Sequence, residues 1–230
     1  MNWWFEDKLK KWAYYIGRNT KPEVKEQVME GYSDLFLPQK VAERLPGDPS
    51  SPMPDEKEIG LPQIAEWMKK AVARMDALVD EDTRVDIMTS LCCEFPAWRI
   101  EEFREFYESA ADKLKAVDDI LARMEADGTT YGPTKREGSA IVTTKVPFDA
   151  EGFRNARTPE ERRNACCHCT FVKAMKGEIS PSFCYCGIGW DRMLWEGILG
   201  KRVKVRVLES IVQGDERCMF RMELPQEIGL

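Results

Sequence analysis

"KRVKVRVLESIVQGDERCMFRMEL", residues 201–224, decides the fold class. Val203, Val205 and Val207 alternate with polar residues in its first half, and Cys218, Phe220, Met222 and Leu224 share a face in its second. Alternation with a period of two marks a strand with one buried side. Gly214-Asp215 between the runs is a turn signal, because glycine reaches positive φ and aspartate bonds its own backbone. The stretch therefore reads as an antiparallel hairpin. A further strand is expected in "SAIVTTKVPF", residues 139–148, which is rich in β-branched side chains.

The chain ahead of these strands reads as helical. Phe5, Leu9, Trp12 and Ile16 recur at helical spacing with charges between them. Such an aromatic amphipathic helix either lies on a membrane or, more plainly, caps a core. A second helix is expected after Pro22. Residues 46–62, with five prolines and two glycines, are expected to form a loop, linker or flap. Ile64, Met68, Ala71, Met75 and Leu78 mark a helix from Pro62 to about Val79, and "DEDTRVDIMTSLCC" a shorter one ending in Cys92 and Cys93.

Ile100, Phe103, Tyr107, Ala110, Leu114, Val117, Leu121 and Met124 step by threes and fours. That seam predicts one long helix over 97–127 ending at Gly128, either packed in its own domain or pairing with a second copy as a homodimer. Thr158, Pro159 and Glu161 give a capping box opening another helix. A last one is expected in "GWDRMLWEGILG", with Trp190, Leu194 and Ile198 on one face and Gly200 at its end. The fold class expected is α+β, a helical N-terminal half followed by an antiparallel sheet with packed helices. It divides into a mainly helical region, 1–128, and a cysteine-rich ligand-binding region, 129–230, which together also read as one continuous domain.

Residues 163–190 hold five of the eight cysteines and the single histidine. They come as "CCHC" and "CYC". In extended chain, residues two apart point the same way, so Cys167, Cys169, Cys184 and Cys186 offer four thiolates to one tetrahedral ion, which suits zinc. Cys166, His168, Cys92 and Cys93 are substitute ligands. Packed reduced cysteines and redox-sensing thiols are the other readings. Cys218 is expected in the core beside Phe220 and Met222. Cys184 and Cys186 are expected just ahead of a helix, where free N–H groups favour a thiolate, and Cys186 is the candidate for a lowered pKa. Arg162 and Arg163, with Arg154 and Arg157, are candidates to hold a carboxylate ligand, or else form a solvated face balanced by Glu160 and Glu161.

The formal net charge of −6 argues against a general nucleic-acid partner. No apolar run approaches a membrane span, and "MNWWFEDKLKKWAYYIGR" places charges where an export signal needs an apolar stretch. A cytoplasmic location with reduced thiols is expected. No serine-hydrolase elbow, phosphate loop or dinucleotide fingerprint is present.

Gly214, Asp215, Cys218 and Phe220 form G-D-x-x-C-x-F between the two strands of the hairpin. With the preceding "FCYCGIGWDRMLWEGILGKRV", this C-terminal part resembles the 4-vinyl-reductase domain family and its relative, the aminothiazoline-carboxylate hydrolase-like family. The resemblance implies a 4-vinyl-reductase-like α+β domain enclosing a small-molecule pocket. Ligands implied are hydrocarbon-like or tetrapyrrole-related, sometimes with zinc held by cysteines. The hydrolase relative implies opening of a thiazoline ring, so a hydrolase acting on a small, anionic substrate is the enzyme alternative to a cysteine-rich binding protein or a thiol redox sensor.

Overall fold

The computed structural model describes residues 3–35, 61–128, 132–175 and 179–228. Residues 46–60 of the proline-rich stretch lie outside the described residues, and Leu61 and Pro62 open the next helix. Among the described residues four α-helices come first: α1 (Trp3–Asn19), α2 (Pro22–Val28), α3 (Leu61–Leu78) and α4 (Glu81–Thr89). Leu9, Trp12 and Ile16 of α1 are fully buried, so its apolar face is covered by the core of this chain. They pack with Ile64, Met68 and Met75 of α3, and the Trp12 and Trp67 rings meet edge to face at 5.9 Å.

The seam at 97–127 is two helices, which corrects the expectation of one. They are α5 (Ala97–Ser109) and α6 (Lys113–Ala126). Ala110 is extended, Asp112 caps α6 by accepting from the Lys115 N–H at 2.9 Å, and Lys113 Nζ donates to the carbonyls of Tyr107, Glu108 and Ala110. Side-chain caps at both ends of the break outweigh a continuous ladder of backbone bonds. The hydrophobic seam survives the break because α5 folds against α6. Phe103, Tyr107, Val117, Leu121 and Met124 are buried within this chain, leaving that seam covered.

Two strands follow, β1 (Thr134–Glu137) and β2 (Ala140–Lys145), then the short helices α7 (Ala150–Asn155), α8 (Pro159–Cys166) and α9 (Thr170–Ala174). The capping box of α8 forms as its sequence predicts, with Thr158 Oγ1 accepting from Glu161 N and Glu161 accepting from Thr158 N. A 3₁₀ turn at Pro181–Phe183 leads into α10 (Cys184–Leu199), followed by the hairpin β3 (Lys204–Glu209) and β4 (Cys218–Glu223) and a 3₁₀ turn at Gln226–Ile228. The sheet is antiparallel throughout, in the order β1-β2-β4-β3. The fold is α+β, a helical N-terminal half followed by this four-stranded antiparallel sheet.

Register fixes the inner face of the sheet. Ile141 pairs with Met222, Thr143 with Phe220 and Lys145 with Cys218, so these six side chains face one way. α10 packs between this face and the N-terminal helices. The approach to α4 requires a glycine: a Cβ on Gly189 would stand 2.2 Å from the carbonyl oxygen of Thr89. The packing does not divide at residue 128. α5 and α6 share a core with α10 and the sheet, whereas Phe171, Val172 and Phe183 pack among the N-terminal helices.

Candidate functional site

The helix carrying the second thiol pair begins earlier than its composition suggests. Asp76 of α3 accepts hydrogen bonds from the hydroxyls of Ser180 and Ser182, the latter at 2.6 Å, and Ser180 Oγ accepts from Ser182 N. This clamp holds the 3₁₀ turn that nucleates α10 at Cys184, so Cys184 and Cys186 lie inside its first turn. Helix position alone would favour thiolates there, but burial opposes it. The Cys186 thiol is raised well above its ordinary value and Cys184 is pushed up to about 12, both chiefly by desolvation. The expectation of a low-pKa Cys186 is thus corrected: the free N–H groups are outweighed by loss of water.

Cys184 instead contacts Ser210, which is fully buried, with Sγ 2.8 Å from Oγ. Ser210 Oγ also accepts from Val212 N. Ser210 is fixed by the hairpin turn: its N–H donates to Asp215 Oδ2 at 2.7 Å, its carbonyl accepts from Asp215 N, and Gly214 at φ +98° makes the reversal. Gly214 and Asp215 therefore shape the turn, as their residue types predict.

Cys218 is buried, as expected beside Phe220 and Met222, but it has a thiol partner: Cys166, at the end of α8, lies with Sγ 4.0 Å from Cys218 Sγ. The hydrogen bond between the sulfurs raises Cys166 and lowers Cys218, and the charge of Lys145 across the ladder helps lower Cys218. Lys145 Nζ passes beneath α10 at Gly187, 3.6 Å from where a Cβ would be. Beyond it lies Asp191, buried on α10, whose pKa is raised to about 7 by desolvation and drawn back by Lys145.

The other predicted residues separate. Cys167, pushed up to about 12, and Cys169, also raised, are burdened mainly by desolvation and border the N-terminal core with Cys186. Cys92 is buried and pushed up to about 11 by desolvation, its carbonyl accepting from Lys8 Nζ at 2.5 Å, while Cys93 is exposed. His168 donates from Nε2 to the Val146 carbonyl at 3.1 Å and meets Phe148 edge-on; burial lowers its pKa. Arg162 stacks on Phe153 and donates to the Glu216 carbonyl, and Arg163 donates to the Met175 carbonyl. Both arginines are engaged with the protein itself.

No group of three or more Cys, His, Asp or Glu side chains among the described residues is placed to hold a metal ion. Cys167, Cys169, Cys184 and Cys186 thus do not stand as a ready tetrahedral set for zinc, and Cys184 is turned toward Ser210.

Beside Cys92, and not lined by any cysteine of 163–190, is a cleft of about 560 Å³ between α1, α4 and α10. Lys11, Arg18, Arg192 and Arg202 line it against Asp86 and Glu196, with Tyr15, Met193 and Cys92 supplying apolar surface. Arg192 is buried, donating from Nη1 to Asp86 and Thr89 Oγ1 and from Nε to Glu196. Arg202 also grips Asp86 through two 2.7 Å bonds. Between them the two arginines hold Asp86 below the usual carboxylate range, against the cost of its own desolvation. Arg18 is exposed and makes no ion pair among the described residues.

A profile of a family of unknown function, DUF6144, matches residues 162–228. That span runs from α8 through both thiol groups, α10 and the hairpin. No curated protein and no solved structure matches the chain.

Sequence reading missed Asp191, Lys145, Ser210 and the Asp86–Arg192–Arg202 cluster. A signal existed for Asp191: it falls at the helical spacing of Cys184, Ile188 and Trp195, an acid on an apolar stripe. Lys145 shares the alternation of Ile141 and Thr143, an inward position for a cation. The arginine cluster joins residues 86, 192 and 202, and no local pattern announces a contact over that separation.

Proposed function

We propose that the protein is a cysteine-rich small-molecule-binding protein, and that its ligand is a small anion held in the cleft between α1, α4 and α10. The observation carrying this is the sign of the lining. Four cations face two carboxylates there, in a chain whose net charge is −6. The cavity volume is in the range of small-molecule sites. Arg192 is fixed by Asp86, Thr89 and Glu196 and Arg202 by Asp86, which leaves Arg18 to meet a carboxylate or phosphate with charge-assisted bonds. The resemblance of the C-terminal part to 4-vinyl-reductase and aminothiazoline-carboxylate hydrolase-like domains supports a small-molecule role. Eight free cysteines suit a reducing, cytoplasmic setting, and no helix among the described residues is long and apolar enough to cross a membrane.

The thiol at the cleft is not a candidate nucleophile. Cys92 is the cysteine lining it, and with its pKa at about 11 it is protonated at neutral pH, which makes it a poor nucleophile.

Titration calorimetry at low salt, with small dicarboxylates and phosphate esters against their neutral amides, tests the reading. Anions are expected to bind and the amides not, and Arg18→Ala is expected to weaken anion binding by roughly tenfold while leaving the fold intact. Equal binding of neutral and anionic probes, or an Arg18→Ala variant with unchanged affinity, overturns it.

A further inference from the structure

The Cys166–Cys218 contact supports an inference that goes beyond ligand binding and does not depend on it. We propose that Cys166 and Cys218 are a peroxide-oxidisable dithiol that closes to a disulfide joining the end of α8 to the inner strand β4. Their sulfurs are 4.0 Å apart, the one thiol–thiol contact among the described residues, and both side chains are buried. A disulfide needs a sulfur separation of about 2.05 Å, so closure asks for about 2 Å of approach between the sulfurs. Of the other thiols, Cys184 faces Ser210, and Cys167, Cys169 and Cys186 border the N-terminal core.

The arrangement also assigns the two roles. Cys218 is bonded by the Ile211 backbone N–H, faces Lys145 across the β2–β4 ladder and sits beside the Cys166 thiol, so it is the sulfur favoured as thiolate and is the attacking group. It displaces water from hydrogen peroxide: the S–O bond forms, the O–O bond breaks, and Cys218 becomes a sulfenic acid. The Cys166 sulfur then attacks Cys218 sulfur, the S–O bond breaks and a second water leaves. Two thiols and one hydrogen peroxide thus give one disulfide and two waters; the pair loses two electrons and the peroxide gains them. Because the two residues are 52 positions apart, the product ties together the two ends of the span that carries both thiol groups and α10.

Treatment of the fully reduced, native full-length protein with hydrogen peroxide, followed by thiol blocking and non-reducing peptide mapping, tests this. The free-thiol count is expected to fall by two from eight, with a Cys166–Cys218 peptide as the first cross-link formed. In Cys166→Ser, the intermediate is stranded, and dimedone is expected to label Cys218. A first cross-link joining Cys218 to Cys167 or Cys184, over-oxidation of Cys218 without any cross-link, or dimedone labelling at another cysteine in Cys166→Ser overturns the proposal. Should Cys166→Ser fail to fold, the map of the wild-type protein decides alone.

Discussion

Asp191 on α10 is buried against the inner face of the sheet, and the half-buried Lys145 of β2 is the charged group that acts on it. Removing the carboxyl from water costs more than the amine returns, so the acid keeps its proton up to about pH 7. The folded state therefore binds a proton that the unfolded chain, with an ordinary carboxyl, releases near pH 4.

The sign of the resulting pH dependence follows. A pKa raised on folding gives stability that is present at acid pH and is lost as pH rises from about 4 to about 7. Asp191→Asn removes that slope. The variant should match the wild type near pH 4 and exceed it above pH 7, by on the order of 4 kcal/mol at most. Urea denaturation at a series of pH values checks this, and parallel curves for the two proteins would refute it.

The contact between Gly189 and Thr89 gives a second prediction. Any Cβ at Gly189 meets a backbone carbonyl, which cannot swing aside as a side chain does. Gly189→Ala should cost about 1–3 kcal/mol by overpacking, read as a lowered urea midpoint at unchanged slope. A neutral effect would mean that α10 and α4 are further apart than described.

Thiol reactivity gives a third. Cys93 is exposed, whereas Cys184, at about 12, is ionised in only on the order of one molecule in ten thousand at pH 8. Pulse labelling of the native protein with iodoacetamide, followed by peptide mapping, should modify Cys93 long before Cys184, Cys186 or Cys169. Comparable rates at Cys93 and Cys186 would show that burial does not govern these thiols.

The break between α5 and α6 rests on its caps. Asp112→Ala removes the acceptor for the Lys115 N–H and should lower stability by about 1 kcal/mol. Lys113→Met removes the amine from three carbonyls at the end of α5 and should cost as much again. Thermal melts of both variants measure the losses, and unchanged midpoints would return the segment to a continuous helix.

Local pattern was enough wherever the force is local. Alternation in 201–224 produced the β3–β4 hairpin, Gly214-Asp215 produced its turn, and Thr158-Pro159-Glu161 produced the capped start of α8. Helical spacing identified the buried faces of α1 and α3, because a helix buries what lies three and four residues apart. Periodicity also ran straight through 110–112, since a helical pair folded on itself keeps the same apolar spacing as one long helix. There only the caps at Asp112 and Lys113 separate the two cases.

The chemistry of the thiols was decided by tertiary structure. The sequence by itself determined that cysteines crowd into 163–190, that an antiparallel sheet follows a helical half, and that Cys218 faces a core. Which sulfur meets which depends on the β2–β4 register and on where α8 ends against the sheet. These bring residue 166 to residue 218 and turn residue 184 toward residue 210. Their acidities follow from desolvation and from Lys145, quantities set by what surrounds a group in space and not by its neighbours along the chain. The cationic cleft has the same origin, because Asp86, Arg192 and Arg202 become one cluster only when α4 and α10 pack together through Gly189.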